Sequence, residues 1–203
     1  MKRNLILALA TAVILSNSAN SAPAQKKQST PAPKMTAKVE TNNYNVNNAI
    51  IKMIDYGNYA NAEAKINSLL KANPNNINAK SLKIVLNIKK KSLNASQDEL
   101  NKMLKTYPQN ADLHYAQGLL YLARLNSSNM DYQANKKELI TSAKEQFTVA
   151  TLLNQNHFAA FNEMGVCELK LNNLDKAKEL FLKSVSIDSQ FATAIDNLGT
   201  IDY

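Results

Sequence analysis

Tryptophan is absent from this 203-residue chain, cysteine occurs once, histidine twice, and the only arginines are Arg3 and Arg124. Each scarcity removes a class of protein. With Cys167 alone no intrachain disulfide can form, so stability has to come from packing. Its position two residues after Gly165, in a closely packed helical stretch, predicts a buried and inert thiol. His114 and His157 stand far apart, with neither an HExxH pattern nor a cysteine partner, so converging metal ligands are missing. No serine sits in a GxSxG elbow, and no glycine-rich loop is available to cradle a phosphate. Carboxylate pairs such as Asp98 with Glu99, or Asp188 with Asp196, read as solvated helix ends. The expectation is a non-catalytic protein without cofactor or metal. Two arginines and 6% aromatics also fall short of a nucleic-acid surface, which needs clustered arginine and exposed rings. Four glycines and five prolines are few for a chain this long and favour helix over strand.

What is present begins at the N-terminus. Lys2 and Arg3 precede an apolar run from Leu5 to Leu15, followed by the small polar stretch Ser16 to Ala24. That is the layout of a secretory signal peptide, residues 1–24, with cleavage expected after Ser21 or Ala24. A run of eleven residues is too short to span a bilayer, which needs about 20. No transmembrane span is expected after cleavage, and no cysteine follows the run to carry a lipid. Export to the periplasm or cell surface of a bacterium follows as an expectation. The formal charge of +8 includes Lys2 and Arg3, so the remainder carries 8 − 2 = +6. Residues 25–42, rich in Pro, Lys, Ser and Thr and without apolar periodicity, read as a disordered tether.

From Asn43 the chain repeats. Pro74 and Pro108 are 34 residues apart, as are Gly165 and Gly199. Rows 43–76, 77–110, 111–157 and 158–191, with a half row 192–203, bring like residues into register once about 13 extra residues are allowed in the third. Gly118, Gly165 and Gly199 then share the eighth place. The twentieth reads Ala62, Ser96, Ala143 and Ala177, all small. The twenty-fourth reads Ile66, Leu100, Phe147 and Phe181, all large and apolar. A period of this length marks a stack of helix pairs. Nine helices are expected, at 44–56, 59–72, 77–91, 95–106, 111–125, 135–154, 158–171, 174–187 and 192–203. Asn58, Asn94, Asn110 and Asn173 are expected N-caps, Asn94 with Gln97 as a capping box. In row two, Ile84 stands at the eighth place and Lys80 and Lys83 replace apolar residues, which predicts a tilted or loosely packed helix. Lys89-Lys90-Lys91 falls in a last helical turn, where positive charge complements the helix dipole.

Phe161-x-x-Met164-Gly165 followed by Ala177-x-x-x-Phe181, with Gly57-Asn58-Tyr59 and Asn73-Pro74-Asn75-Asn76 at the turns, resembles the tetratricopeptide repeat family over residues 43–203. The resemblance implies an all-α fold, a right-handed superhelical α-solenoid of about four helix–turn–helix repeats plus a terminal half repeat. It implies further that the first helix of each pair lines a concave groove that takes a peptide or a helix. The groove positions become Tyr44, Asn47, Ile51, Asn78, Ser81, Val85, Asp112, Tyr115, Leu119, Leu122, Asn162, Val166 and Leu169. They form aliphatic stripes with an amide- and tyrosine-rich border, suited to a partner segment with aliphatic side chains. Part of each stripe has a second reading as core between neighbouring helices. The insertion around 126–136 carries Met130 and Tyr132 and reads either as a binding loop or as tolerated decoration. The half row reads either as a solvating cap or as the start of a truncated repeat.

The function expected is a protein–protein interaction scaffold, the alternative a chaperone-like holder of unfolded exported chains. N-terminal sequencing of the envelope form is expected to begin after Ser21 or Ala24; an intact Met1 would contradict the export reading.

Overall fold

The computed structural model describes residues 36–126 and 134–201, with side chains from Val46 onward. The signal segment and the tether up to residue 35 lie outside the described residues, as do Met130 and Tyr132. Among the described residues there are nine helices and no strand: α1 (Thr36–Asp55), α2 (Tyr59–Ala72), α3 (Ile77–Lys89), α4 (Leu93–Thr106), α5 (Ala111–Leu125), α6 (Lys136–Leu153), α7 (Phe158–Lys170), α8 (Leu174–Ile187) and α9 (Ala192–Ile201). Each row folds as one pair. From α2 onward, successive helices pack on one another, and α3 also packs on α5. The result is an all-α helical repeat solenoid, in which each pair buries its apolar face against the next.

The turns repeat with the rows. Within rows one, two and four, the first helix ends at a residue of positive φ: Gly57 at 75°, Lys91 at 66° and Asn172 at 64°. The next backbone N–H then reaches back over the last turn, from Asn58 to Met53 O, Ser92 to Asn87 O and Asn173 to Glu168 O. This left-handed C-terminal bond satisfies carbonyls that the helix leaves open. Glycine adopts that conformation without strain and asparagine tolerates it, whereas Lys91 holds it against its own Cβ.

Between rows a second turn recurs four times. The backbone N–H groups of Asn76, Asn110, His157 and Phe191 bond to the carbonyls of Asn73, Tyr107, Asn154 and Asp188. In three of these turns a side chain of the first residue also accepts an N–H two residues on: Asn73 from Asn75, Asn154 from Asn156, and Asp188 from Gln190. The N-caps follow from this turn. Asn76, Asn110 and His157 accept the N–H groups of Ala79, Leu113 and Ala160. Of the four caps expected, only Asn110 uses its side chain. Asn58 and Asn173 sit at helix starts without a side-chain capping bond, because the backbone reach-back sets their conformation. Asn94 lies inside α4, which begins at Leu93.

The pairing of first and second helix obeys a rule of size. In rows three and four the eighth-place glycines lie directly beneath the rings of Phe147 and Phe181. Rows one and two carry Ile50 and Ile84 there, with Ile66 and Leu100 at the twenty-fourth place. All four side chains are buried. A large ring needs a bare helix face, and an aliphatic chain leaves room for another aliphatic chain. Isoleucine at the eighth place therefore does not loosen α3. Leu82, Ile84, Val85, Leu86 and Ile88 are all in the core, while Lys83 points to solvent and Lys80 is half-buried. The small residues of the twentieth place, Ala62, Ser96, Ala143 and Ala177, are buried as well. Each buried Phe, Leu or Ile contributes about 1.5–3 kcal/mol relative to exposure.

The largest boundary difference is at the start of α1. Helix α1 starts at Thr36, inside the stretch 25–42 expected to be a tether. No proline or glycine stands between Pro33 and Gly57, so nothing interrupts the helix until the Gly57 turn.

Replacing Gly165 by alanine tests the size rule. A Cβ there lies 2.5 Å from Phe181 Cε1, and the overpacking is expected to cost about 1–3 kcal/mol. Adding Phe181→Leu, which recreates the row-two combination, is expected to recover part of that loss. Denaturant midpoints of the three proteins measure both effects.

Candidate functional site

The expected groove residues divide by burial. Ile51, Ser81, Val85, Tyr115, Leu119, Leu122 and Asn162 are buried. Asn47, Asn78, Asp112, Val166 and Leu169 are half-buried. Of Tyr44 only the helical backbone is described. In this state the ninth and twelfth places of rows one to three form core, the second of the two readings open from the sequence.

The amide border is also largely engaged within the domain. Asn162 Oδ1 accepts from Asn197 Nδ2 at 2.9 Å, and Asn78 Oδ1 from Asn110 Nδ2 at 3.2 Å. Ser81 donates within its own helix, to Ile77 O and Asn78 O. These bonds answer a physical demand. Polar side chains brought together as helices stack must pair with one another once water is excluded.

Charge converges where the first helices meet. At the end of α1, Asp55 Oδ1 lies 3.5 Å from Lys89 Nζ at the end of α3. Its other oxygen accepts a hydrogen bond from the Thr193 hydroxyl on α9. Lys89 and Asp55 both act electrostatically on Glu163 of α7, which in turn acts on the Tyr115 hydroxyl of α5. The five first helices thus share one polar centre. Burial pushes the Glu163 carboxyl above its usual value, and the attraction of Lys89 does not cancel it because Asp55 stands nearby with like charge. Burial raises the Tyr115 hydroxyl well above its ordinary range, and the charges of Glu163, Asp55 and Asp112 add to it. Lys89 moves upward: burial opposes its charge, but Glu163 and Asp55 hold the proton on.

His157 flanks this centre. Its ring lies 4.7 Å from that of Tyr115, centroid to centroid. Because Nδ1 accepts the Ala160 N–H, the ring proton sits on Nε2, which faces Asp112 Oδ1 at 3.4 Å. His114 is a packing residue. Its ring nitrogens meet Gln146 Oε1 at 2.9 Å and Pro108 O at 2.8 Å, joining the turn before α5 to α6.

A second buried carboxylate joins rows three and four. Glu168 accepts from Lys144 at 3.2 Å and from Asn173 Nδ2 at 2.7 Å, with Lys176 at 3.7 Å. Burial alone would raise its pKa, but the Asn173 and Lys144 hydrogen bonds and the lysine charges outweigh it and hold the group low. Cys167 is fully buried, and its thiol is pushed up to about 12 by burial first and by Glu163 next. It is the inert thiol expected.

Sequence reading missed Asp55, Glu163 and Glu168. One signal was available: Asp55 and Lys89 are 34 residues apart and occupy the same place in successive rows. The triple lysine is more than a dipole partner, since Lys89 pairs with Asp55 and Lys90 with Glu63.

No protein-family model matches the chain, and no curated protein sequence matches it. Solved structures do. The fold is similar to TTC0263, a thermophilic TPR protein of Thermus thermophilus, with a TM-score of 0.59 at 15% identity over 78% of this chain and 80% of that one. MamA is matched at a TM-score of 0.45 and 22% identity, over 74% of this chain and 80% of that one. YrrB, described as a TPR protein with an unusual peptide-binding site, is matched at 0.32 and 19%, over 82% and 98%. The chain therefore has the fold of a tetratricopeptide repeat protein.

The two glutamates impose opposite pH dependences. Glu168, held below its ordinary 4.5, contributes stability that is present above 4.5 and lost as pH falls from there through its folded pKa. Glu163, raised above 4.5, disfavours the fold when ionised, so stability rises as pH falls through its folded pKa towards 4.5. Glu168→Gln is expected to lower stability at pH 7 by about 1–3 kcal/mol and to remove the acid loss below 4.5. Glu163→Gln is expected to abolish the mild-acid gain. Denaturant midpoints across pH check both signs.

Proposed function

We propose that this protein is a non-catalytic interaction scaffold of the bacterial envelope, taking a peptide or helical segment of another protein against the inner face of its first helices. The observation that carries this reading is convergence. The first helices bring Asp55, Lys89 and Glu163 together beside stripe residues that are buried in rows one to three and half-buried at Val166 and Leu169. Such a surface offers apolar area with a few placed polar groups, the composition of a recognition site. Export is supported by Lys2, Arg3 and the Leu5–Leu15 run. Among the described residues no helix is long and apolar enough to cross a membrane.

The alternative, a holder of unfolded chains, draws on Leu152, Leu174, Leu182 and Ile195, each about half exposed. One capture experiment separates the two. The mature protein, tagged and incubated with envelope extract, is expected to retain one stoichiometric partner; a broad set of chains would favour the holder. Val166 and Leu169, half-buried in α7, are the positions to vary, because changing buried Tyr115 or Leu119 damages the core. A Val166→Asp, Leu169→Asp variant that keeps its melting temperature is expected to bind that partner at least about tenfold more weakly, in line with a loss near 2 kcal/mol for interface anchors. Undiminished capture would move the site elsewhere.

A further inference from the structure

The tip of α1 touches the far end of the array. Lys52 Nζ pairs with Asp188 Oδ2 at 2.9 Å. The Tyr56 hydroxyl lies between Gln190 and Ala192, donating to the carbonyl of the first at 3.3 Å and accepting the N–H of the second at 3.1 Å. The Tyr56 ring stacks on Phe191 at 6.5 Å, and the Thr193 hydroxyl bonds to Asp55. Partners in these bonds are 134 to 138 residues apart. Row one and the half row, which nearest-neighbour stacking would keep separate, are joined.

From these contacts we infer that residues 52–56 and 188–193 form an intramolecular clasp that holds the array closed over its inner face, so that a partner segment enters only when the clasp is released. The inference rests on the reading of that face as a binding surface. Two observations support it. First, the stripe residues Val85, Tyr115 and Leu119 are buried while the clasp is shut, so nothing reaches them in this state. Second, the clasp is built differently from the core around it. Ile50, Ile51 and Ile54 anchor α1 by apolar burial, whereas the clasp joins row one to the half row by an ion pair, hydrogen bonds and the half-exposed Tyr56 ring on the buried Phe191. Each such contact, an ion pair or a hydrogen bond, adds little net stability by itself. Rupture at the tip therefore leaves the helix anchored while the two ends separate. A ligand shifts that balance by binding the open form better than the closed one, which an aliphatic segment facing the freed stripe does. The clasp thereby selects against segments too weakly apolar to replace it.

Charge reversal tests this without any natural partner. Lys52→Glu with Tyr56→Phe removes the ion pair and the hydroxyl but leaves the isoleucine anchors. Helicity is expected to stay at the wild-type level, while bis-ANS binding and amide exchange across 81–88 and 115–122 rise at least tenfold. Adding Asp188→Lys restores the ion pair with inverted sign and is expected to return both readouts towards wild type. As an independent arm, Asp55→Cys with Thr193→Cys places two thiols where the side chains touch; the oxidised form is expected to exclude bis-ANS and the reduced form to admit it. Wild-type dye binding and exchange in the charge-reversed variant would overturn the clasp. So would equal dye binding by the oxidised and reduced forms. Neither readout depends on partner capture, so a failed capture experiment overturns the binding function and leaves the clasp standing.

Discussion

Two helices joined by a three-residue turn can bury only one face, and the depth of that burial is decided where the eighth place of the first helix meets the twenty-fourth of the second. Glycine under phenylalanine and isoleucine beside leucine or isoleucine are two solutions to one volume constraint. Interiors are close-packed, so the constraint applies to the pair of residues and to neither alone. Everything outward of that contact inherits its spacing. The small twentieth-place residues seat the second helix, the positive-φ residue redirects the chain, and the four-residue turn delivers it to the next row. The polar bonds between neighbouring first helices then form at distances that the packing has already set.

This explains why the helices were readable and the site was not. Periodic glycine, alanine and phenylalanine record local volume requirements, which recur every 34 residues and so stand out against the rest of the sequence. The misjudged looseness of α3 came from reading Ile84, Lys80 and Lys83 without the smaller twenty-fourth residue of the same row, Leu100, which is buried with Ile84. Caps failed for a related reason. An asparagine before an apolar run matches both a side-chain cap and a left-handed turn, and only the backbone geometry separates Asn110 from Asn173.

The polar centre was illegible because it is not periodic. Asp55 and Lys89 share a place in successive rows, but Tyr115, Glu163 and Thr193 come from three further helices at other places, and only the winding of the stack brings the five together. Burying several charges in one region carries a desolvation cost that apolar side chains would avoid. Glu163 registers that cost directly in its raised pKa. Glu168 shows the contrary outcome: with two lysines and an asparagine around it, its charge is stabilised.

Joining first row to last also alters how the chain assembles and comes apart. A stack whose units touch only their neighbours behaves as a one-dimensional chain, in which either end can peel while the middle persists. Contacts spanning well over half of the sequence change that topology. The entropy of bringing such distant residues together grows only slowly with the length of the loop, so the thermodynamic burden is modest. Its kinetic counterpart is larger, because non-local contacts form late and slow the search for the native state. Fraying at one terminus must break the same joint that protects the other, so the two ends melt as one unit.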